Sequence, residues 1–303
     1  MTQSADDTPT AADGLATRPR LQALATRLGR VEALDAPAGK LGAAVRKAIP
    51  GGTVKDALSG TWLGHAFHPL MTDVPIGTWT SAVVLDWLGG RESGKGAQRL
   101  VGVGLAASVP TIVSGYSDWA DAEVGSDDIR RLGLVHAAFN AAGTTLFLGS
   151  YLARRRDRRT SGKLLGLAAI SSIGAGGWLG GHLSYKQASG VDQTALEEGP
   201  TEWTAALSDG DLAEGSATCA HVGDVRVLLV RQGGEVRALA NRCTHRGGPL
   251  NEGELGDGTI KCPWHDSVFA LADGSVVRGP AAYPQPVYDV RSHEGMLEVR
   301  VRV

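Results

Sequence analysis

Three long stretches of this chain contain no Asp, Glu, Lys or Arg: Leu100 to Ser117, Leu132 to Ala153 and Leu164 to Tyr185. Each is about the length of helix, roughly 20 residues, that crosses the apolar core of a bilayer. A fourth, weaker candidate runs from Pro69 to Leu88, with Asp73 near its start and Asp86 near its end. A mean hydropathy of −0.06 conceals this segregation. Gly and Ala lower the hydropathy of the stretches, which leaves a soluble bundle of buried helices as the alternative. The spacings Gly176-xxx-Gly180 and Gly177-xxx-Gly181 instead suit close helix packing inside a membrane. The expected architecture for this half is a four-helix transmembrane bundle.

Composition changes near Ser189 to Pro200, where Gly, Ala and Leu give way to short β-branched runs such as Val225 to Val230, separated by Gly-rich turns. The length of 303 residues suits two domains. The boundaries read as a disordered and amphipathic N-terminal segment (1–56), a membrane domain (57–188), a linker (189–200) and an antiparallel β-domain (201–303). Residues before about Thr17 are expected to be disordered, and Leu21 to Leu34 to form a short amphipathic helix, either on the membrane surface or with its arginines as an ordinary solvated face. No apolar core of a signal peptide and no paired arginines of the export type precede the first span. A net charge of −2 gives no case for nucleic acid.

Chemistry is concentrated in two short motifs, Cys243-Thr244-His245 and Cys262-Pro263-Trp264-His265, with sixteen residues between them. Cys2His2 is also a zinc ligand set, but zinc motifs usually pair Cys with Cys and His with His along the chain, and here they alternate. Together with their flanks (Arg246-Gly-Gly-Pro-Leu250, Ile260-Lys261, Asp266-Ser-Val-Phe269 and Gly279-Pro280), these motifs resemble the Rieske ferredoxin family over roughly the last hundred residues. The resemblance implies an antiparallel β-sandwich holding a [2Fe-2S] cluster, with Cys243 and Cys262 on one iron and His245 and His265 on the other. The imidazole edges would be the electron exit and the Pro280 segment would shield the cluster.

Two departures from the family's pattern carry information. Gly248 and Trp264 stand where members from cytochrome bc complexes carry a further pair of Cys, so no disulfide links the cluster loops. This version is similar to the soluble ferredoxins of ring-hydroxylating oxygenases, which work in a reducing compartment. Ser267 matches the family's hydroxyl donor to a bridging sulfide, whereas Phe269 replaces a Tyr hydroxyl, so the potential is expected in the lower part of the family's range. Cys219-Ala-His221 repeats the C-x-H spacing but has no second C-x-x-H of its own and reads as packing. His293 reads as a surface residue.

Four spans place both chain ends on one side. The basic loops with Arg91, Lys95 and Arg99, and with Arg154, Arg155, Arg156, Arg158, Arg159 and Lys163, would face the cytoplasm, leaving the termini outside. The missing disulfide and export signal favour the opposite side, and the sequence leaves the side open. In either orientation His65, His68, His136 and His182 gather at one membrane face, with Asp73, Asp118 and Trp119. Ionisable residues inside a membrane are functional candidates. His68, His136 and His182 are the ones considered as ligands of a haem b or a second metal, or as the lining of a quinone pocket. The alternative is that these histidines only knit helix ends together. The segment from Gly64 to Leu70 and the run Asp73-Val-Pro-Ile-Gly77 resemble a family of predicted four-helix bacterial membrane proteins, which supports the spans and not a cofactor.

Rieske oxygenases need a mononuclear iron site after the cluster. Only 38 residues follow His265, and they contain one His. No GxGxxG nucleotide site occurs in a strand-turn-helix context. The expectation is therefore a membrane-anchored one-electron carrier, exchanging electrons with a quinone, haem or redox partner protein. A redox sensor or structural anchor is the alternative.

Overall fold

The computed structural model describes residues 20–302, so the disorder expected before Thr17 lies outside the described residues. Three short helices come first: α1 (Arg20–Gly29), α2 (Asp35–Ala48) and α3 (Thr53–Ser59). The amphipathic helix expected over Leu21 to Leu34 ends at Gly29 and lies on protein, where Ala25 forms a buried cluster with Leu132 and Leu179. Arg131 fixes it there. Its guanidinium donates to the Gly29 carbonyl at 2.8 Å and to both carboxylate oxygens of Asp35 at 2.7 and 2.6 Å. A bidentate pair of this kind adds geometric specificity to its energy.

Four long helices follow in alternating directions: α4 (Phe67–Leu88), α5 (Gly94–Ala122), α6 (Asp127–Arg155) and α7 (Arg159–Gly181), the last running into a π-turn at His182–Lys186. The start of α6 is set by Ser126, whose Oγ accepts from Ile129 N–H, and by two acids in the first turn. Three of these helices, α5, α6 and α7 with its turn, are long and apolar enough to cross a membrane. The 22-residue α4 falls short of that standard, because two aspartates, a histidine and two prolines dilute its apolar residues. Asp86 is nevertheless turned inward, where Arg154 grips both its oxygens and Ser150 braces the guanidinium. Arg159 and Lys163 donate to carbonyls of the α4–α5 turn and of Asp86. Three of the basic residues counted for membrane orientation are thus structural. At the bundle centre Trp79 and Phe147 stack with ring centroids 4.4 Å apart, and Trp79 Nε1–H donates to Val101 O at 3.3 Å.

The C-terminal domain is entirely antiparallel. Strands β1 (Thr204–Ser208), β2 (Ala217–Val222), β3 (Val225–Gln232), β4 (Glu235–Ala240), β9 (Val287–His293) and β10 (Met296–Val301) form a six-stranded sheet in the order β1-β10-β9-β4-β3-β2. A four-stranded sheet, β5-β6-β7-β8, uses β5 (Glu254–Gly256), β6 (Thr259–Lys261), β7 (Val268–Ala270) and β8 (Val276–Arg278). Gly233 and Gly234, with φ of 63° and 78°, make the two-residue turn that joins β3 to β4, where two successive positive φ values favour glycine. Alternation along β3 splits its side chains between two cores: Val227 and Leu229 face Tyr288 and Val299, while Leu228 and Val230 face Leu250, Ile260 and Phe269. The second core also holds Cys243 and Cys262, which ties the small sheet to the large one beneath the two motifs.

Candidate functional site

The two motifs fold as near copies. The first loop leaves β4 and is closed by Cys243 N–H to Gly248 O at 2.9 Å and Gly247 N–H to Cys243 O at 2.8 Å. The second leaves β6 and is closed by Cys262 N–H to Ser267 O at 2.8 Å and Asp266 N–H to Cys262 O at 3.2 Å. The fifth residue of each, Gly247 or Asp266, takes a positive φ, of 78° or 62°. Both cysteines are buried and unbridged, with their thiols within hydrogen-bond reach of each other. The imidazoles of His245 and His265 stand edge to face with centroids 5.1 Å apart.

The backbone is polarised for thiolates. N–H groups of His245 and Arg246 point at Cys243, and those of Trp264 and His265 at Cys262. The hydrogen bond from Cys243 brings the Cys262 thiol down to about 7, and the same contact, with burial, pushes the Cys243 thiol well above its ordinary value. Burial holds the His245 and His265 imidazoles below their usual range, so both are neutral and present lone pairs. Two thiols and two neutral imidazoles in this arrangement fit a [2Fe-2S] cluster, which would supply a one-electron redox couple at this position.

Trp264 occupies the place of the missing bridge. A methyl group added to Gly248 would lie 2.8 Å from Cys262 Sγ and 3.1 Å from the Trp264 ring, so the indole covers the cluster loops where a disulfide would have run. Ser267 is buried, and its Oγ accepts from Ala281 N–H at 3.0 Å, which leaves its own proton free to donate. Phe269 is buried in the second core and brings no hydroxyl. Gln285, which the sequence did not single out, supports the first loop from behind. Its amide oxygen accepts from Thr244 N–H at 3.2 Å and its amide nitrogen donates to Ala240 O at 2.8 Å and to Arg242 O. Cys219 lies in β2, opposite Leu228, and belongs to neither cluster loop; burial raises its thiol.

The imidazole edge does not face open solvent; it docks on the last turns of α5. His245 Nε2 lies 3.6 Å from Asp121 Oδ2, and the same oxygen is 2.7 Å from Lys55 Nζ, both charges being almost fully buried. Lys55 also donates to Ser117 O and Oγ at 2.8 and 3.0 Å. Arg246 donates to Asp118 O at 3.0 Å and to Ser189 Oγ at 3.2 Å. On the flank, Thr61 Oγ1 donates to Ala281 O at 2.9 Å, and His65 meets the Tyr283 ring edge-on at 5.9 Å. The linker is fastened as well, through Gln193 N–H to Thr244 O at 3.0 Å. Asp121 lies in the last turn of α5, which runs to Ala122, Glu123 caps that helix, and both acids are buried.

Among the membrane histidines, His68 and His136 each set Nδ1 against a backbone carbonyl of a neighbouring helix, Thr111 O at 2.9 Å and Gly176 O at 2.7 Å. His182 sits in the π-turn with its ring stacked on Trp178 at 5.6 Å, and Asp73 is exposed.

Comparison with known proteins agrees with this division. Residues 202–289 match the Rieske [2Fe-2S] domain, and residues 64–193 match the family described as a predicted membrane protein (DUF2231). The ferredoxin subunit of 3-phenylpropionate/cinnamic acid dioxygenase from Escherichia coli is 35% identical over 86 residues, covering 28% of this chain and 80% of its own length. Human apoptosis-inducing factor 3 is 33% identical over 90 residues, 30% of this chain, but the chain spans only 15% of its length. The ferredoxin of carbazole 1,9a-dioxygenase from Nocardioides aromaticivorans is a solved structure 26% identical, covering 33% of this chain and 98% of its own, with a TM-score of 0.32. The chain therefore belongs to the Rieske [2Fe-2S] proteins through residues 202–289 and carries ahead of that domain a multi-pass membrane domain of the DUF2231 family.

Proposed function

We propose that this protein is a membrane-anchored one-electron carrier, in which a cluster on Cys243, His245, Cys262 and His265 exchanges electrons across the docked imidazole edge with a donor at the membrane domain. The helix α4 acts as the fourth span, its buried Asp86 neutralised by Arg154, so that both chain ends lie on one side. The observation that carries this reading is the Asp121 carboxylate 3.6 Å from His245 Nε2, a contact between the proposed outer-iron ligand and the last turn of α5. The ferredoxin-subunit relative supports electron carriage, because the matched residues cover most of its length. A quinol or a reductase is the proposed donor, and a soluble redox protein the proposed acceptor.

Membranes containing the full-length protein, treated anaerobically with a quinol analogue and read by EPR, test this. The cluster should become reduced. A cluster that dithionite reduces but the quinol analogue and cell reductases do not would overturn the reading.

A further inference from the structure

The four long helices are two copies of one hairpin. Helices α4 and α6 correspond with an offset of 68 residues: His68 with His136, Trp79 with Phe147, and Asp86 with Arg154. Trp79 stacks on Phe147 and Asp86 pairs with Arg154, so each of these residues touches its own counterpart. Residues that lie on a two-fold axis meet their own counterparts, as these two pairs do. The axis passes between α4 and α6, and the hairpins are parallel repeats about it. The second helices correspond with an offset of 65 residues, since α5 starts at Gly94 and α7 at Arg159. Almost no residue identity survives between the copies, yet the histidine does.

The two histidines are held alike. His68 Nδ1 is 2.9 Å from Thr111 O, and His136 Nδ1 is 2.7 Å from Gly176 O. Thr111 and Gly176 are equivalent by the offset of 65. Each ring then lies in a notch one turn further on: a methyl on Gly115 would come 2.6 Å from His68 Cε1, and one on Gly180 would come 3.0 Å from His136 Cε1. A carbonyl acceptor at Nδ1 fixes the proton there and leaves Nε2 with its lone pair. The Asn140 amide nitrogen is 3.4 Å from His136 Nδ1 and 3.2 Å from its Nε2. A group nearly equidistant from both ring nitrogens sits over the ring face, not along the in-plane lone pair of Nε2. A backbone carbonyl at one nitrogen and a free lone pair at the other is the usual setting of a metal-bound histidine.

From this arrangement we infer that His68 and His136 are the axial ligands of a haem b on the two-fold axis. The inference deepens the electron-carrier reading and rests on it for the haem's partner. A haem brings four equatorial nitrogens of its own and asks the protein for two axial ligands, which is the number this pair supplies. Gly115 and Asp121 are six residues apart on α5, about 9 Å of helical rise, and they abut His68 and His245 respectively. One electron passes between haem iron and cluster, the one oxidised as the other is reduced, with no bond made or broken. His182, stacked on Trp178, is outside this site.

Optical and EPR spectra of the full-length, iron-replete protein made with added haem precursor test the inference. A Soret band with a low-spin iron signal is expected, lost at least tenfold in His68→Ala and in His136→Ala and kept in His182→Ala. Retention of the Rieske EPR signal shows that a variant is folded. Absence of a Soret band in the wild type, a high-spin five-coordinate spectrum, or a low-spin band that survives both substitutions would overturn it. If a variant also loses the Rieske signal, the spin state of the wild type decides. A haem band beside a cluster that no membrane donor reduces would sink the carrier reading and leave this site standing.

Discussion

His245 and Asp121 meet across two domains: an imidazole expected to hold the outer iron has a carboxylate of the membrane bundle 3.6 Å from its far nitrogen, and Lys55 holds that carboxylate from the other side. A carboxylate this close to a ligating imidazole acts on the metal behind it through its charge. With a cluster on His245, the membrane domain would act on its electronic environment as well as on its location.

The closeness of Gly248 to Cys262 makes a single methyl group decisive. Gly248→Ala should lower iron content and the [2Fe-2S] signal severalfold, because the added carbon meets Cys262 Sγ at 2.8 Å. Cys219→Ala should leave both unchanged, since Cys219 lies in β2 and belongs to neither loop. Iron analysis with EPR on the two variants reads the contrast.

Domain docking should depend on pH through Asp56. Burial raises this carboxyl, which faces Arg278 and Gly279 of the β-domain. The folded state therefore holds the Asp56 proton more tightly than the unfolded state does. Its stabilising effect is complete below the ordinary carboxylate range and is lost as pH rises through the raised folded value. Thermal unfolding of the wild type and Asp56→Asn should give matching midpoints in acid and a higher midpoint for the variant at neutral pH. Equal midpoints at both pH values would contradict this.

The ion pair between Asp86 and Arg154 is buried on both sides. Asp86→Ala leaves the guanidinium uncompensated and should cost about 3–5 kcal/mol. The double variant Asp86→Leu/Arg154→Leu should recover most of that loss, and unfolding in detergent measures both.

Orientation has its own readout. The remaining cations Arg91, Lys95, Arg99, Arg155, Arg156 and Arg158 still lie at the end of the bundle away from the β-domain, and from them the positive-inside rule predicts a β-domain outside the cell. Ser292→Cys, on an exposed position of β9, should react with a membrane-impermeant thiol reagent in intact cells. Reaction only after lysis would put the β-domain in the cytosol.

The Rieske domain was legible because four side chains of fixed type at fixed spacing leave few alternatives, and the structure folds the two loops around Cys243 and Cys262 as near copies. The three longest spans were legible because charge is absent from them. The docking contacts were not, since Lys55, Asp121 and Arg246 belong to different elements and gain meaning only when α5 runs past its charge-free stretch to Ala122. Gln285 was silent for the same reason: a lone glutamine between two prolines carries no pattern until it lies under Thr244. The hairpin repeat was hidden because paired positions such as Asp86 and Arg154 keep a relationship and not an identity.

Potentiometric titration of the cluster in the full-length protein tests the central claim, that the outer-iron ligand is docked on the membrane domain. Removing the Asp121 charge while leaving Lys55 should raise the midpoint, and removing the Lys55 charge should lower it, each by a shift on the order of tens of millivolts. The account predicts Asp121→Asn above the wild type and Lys55→Met below it, with the wild type itself below about +200 mV for want of a hydroxyl at Phe269. Identical midpoints in all three proteins would contradict it.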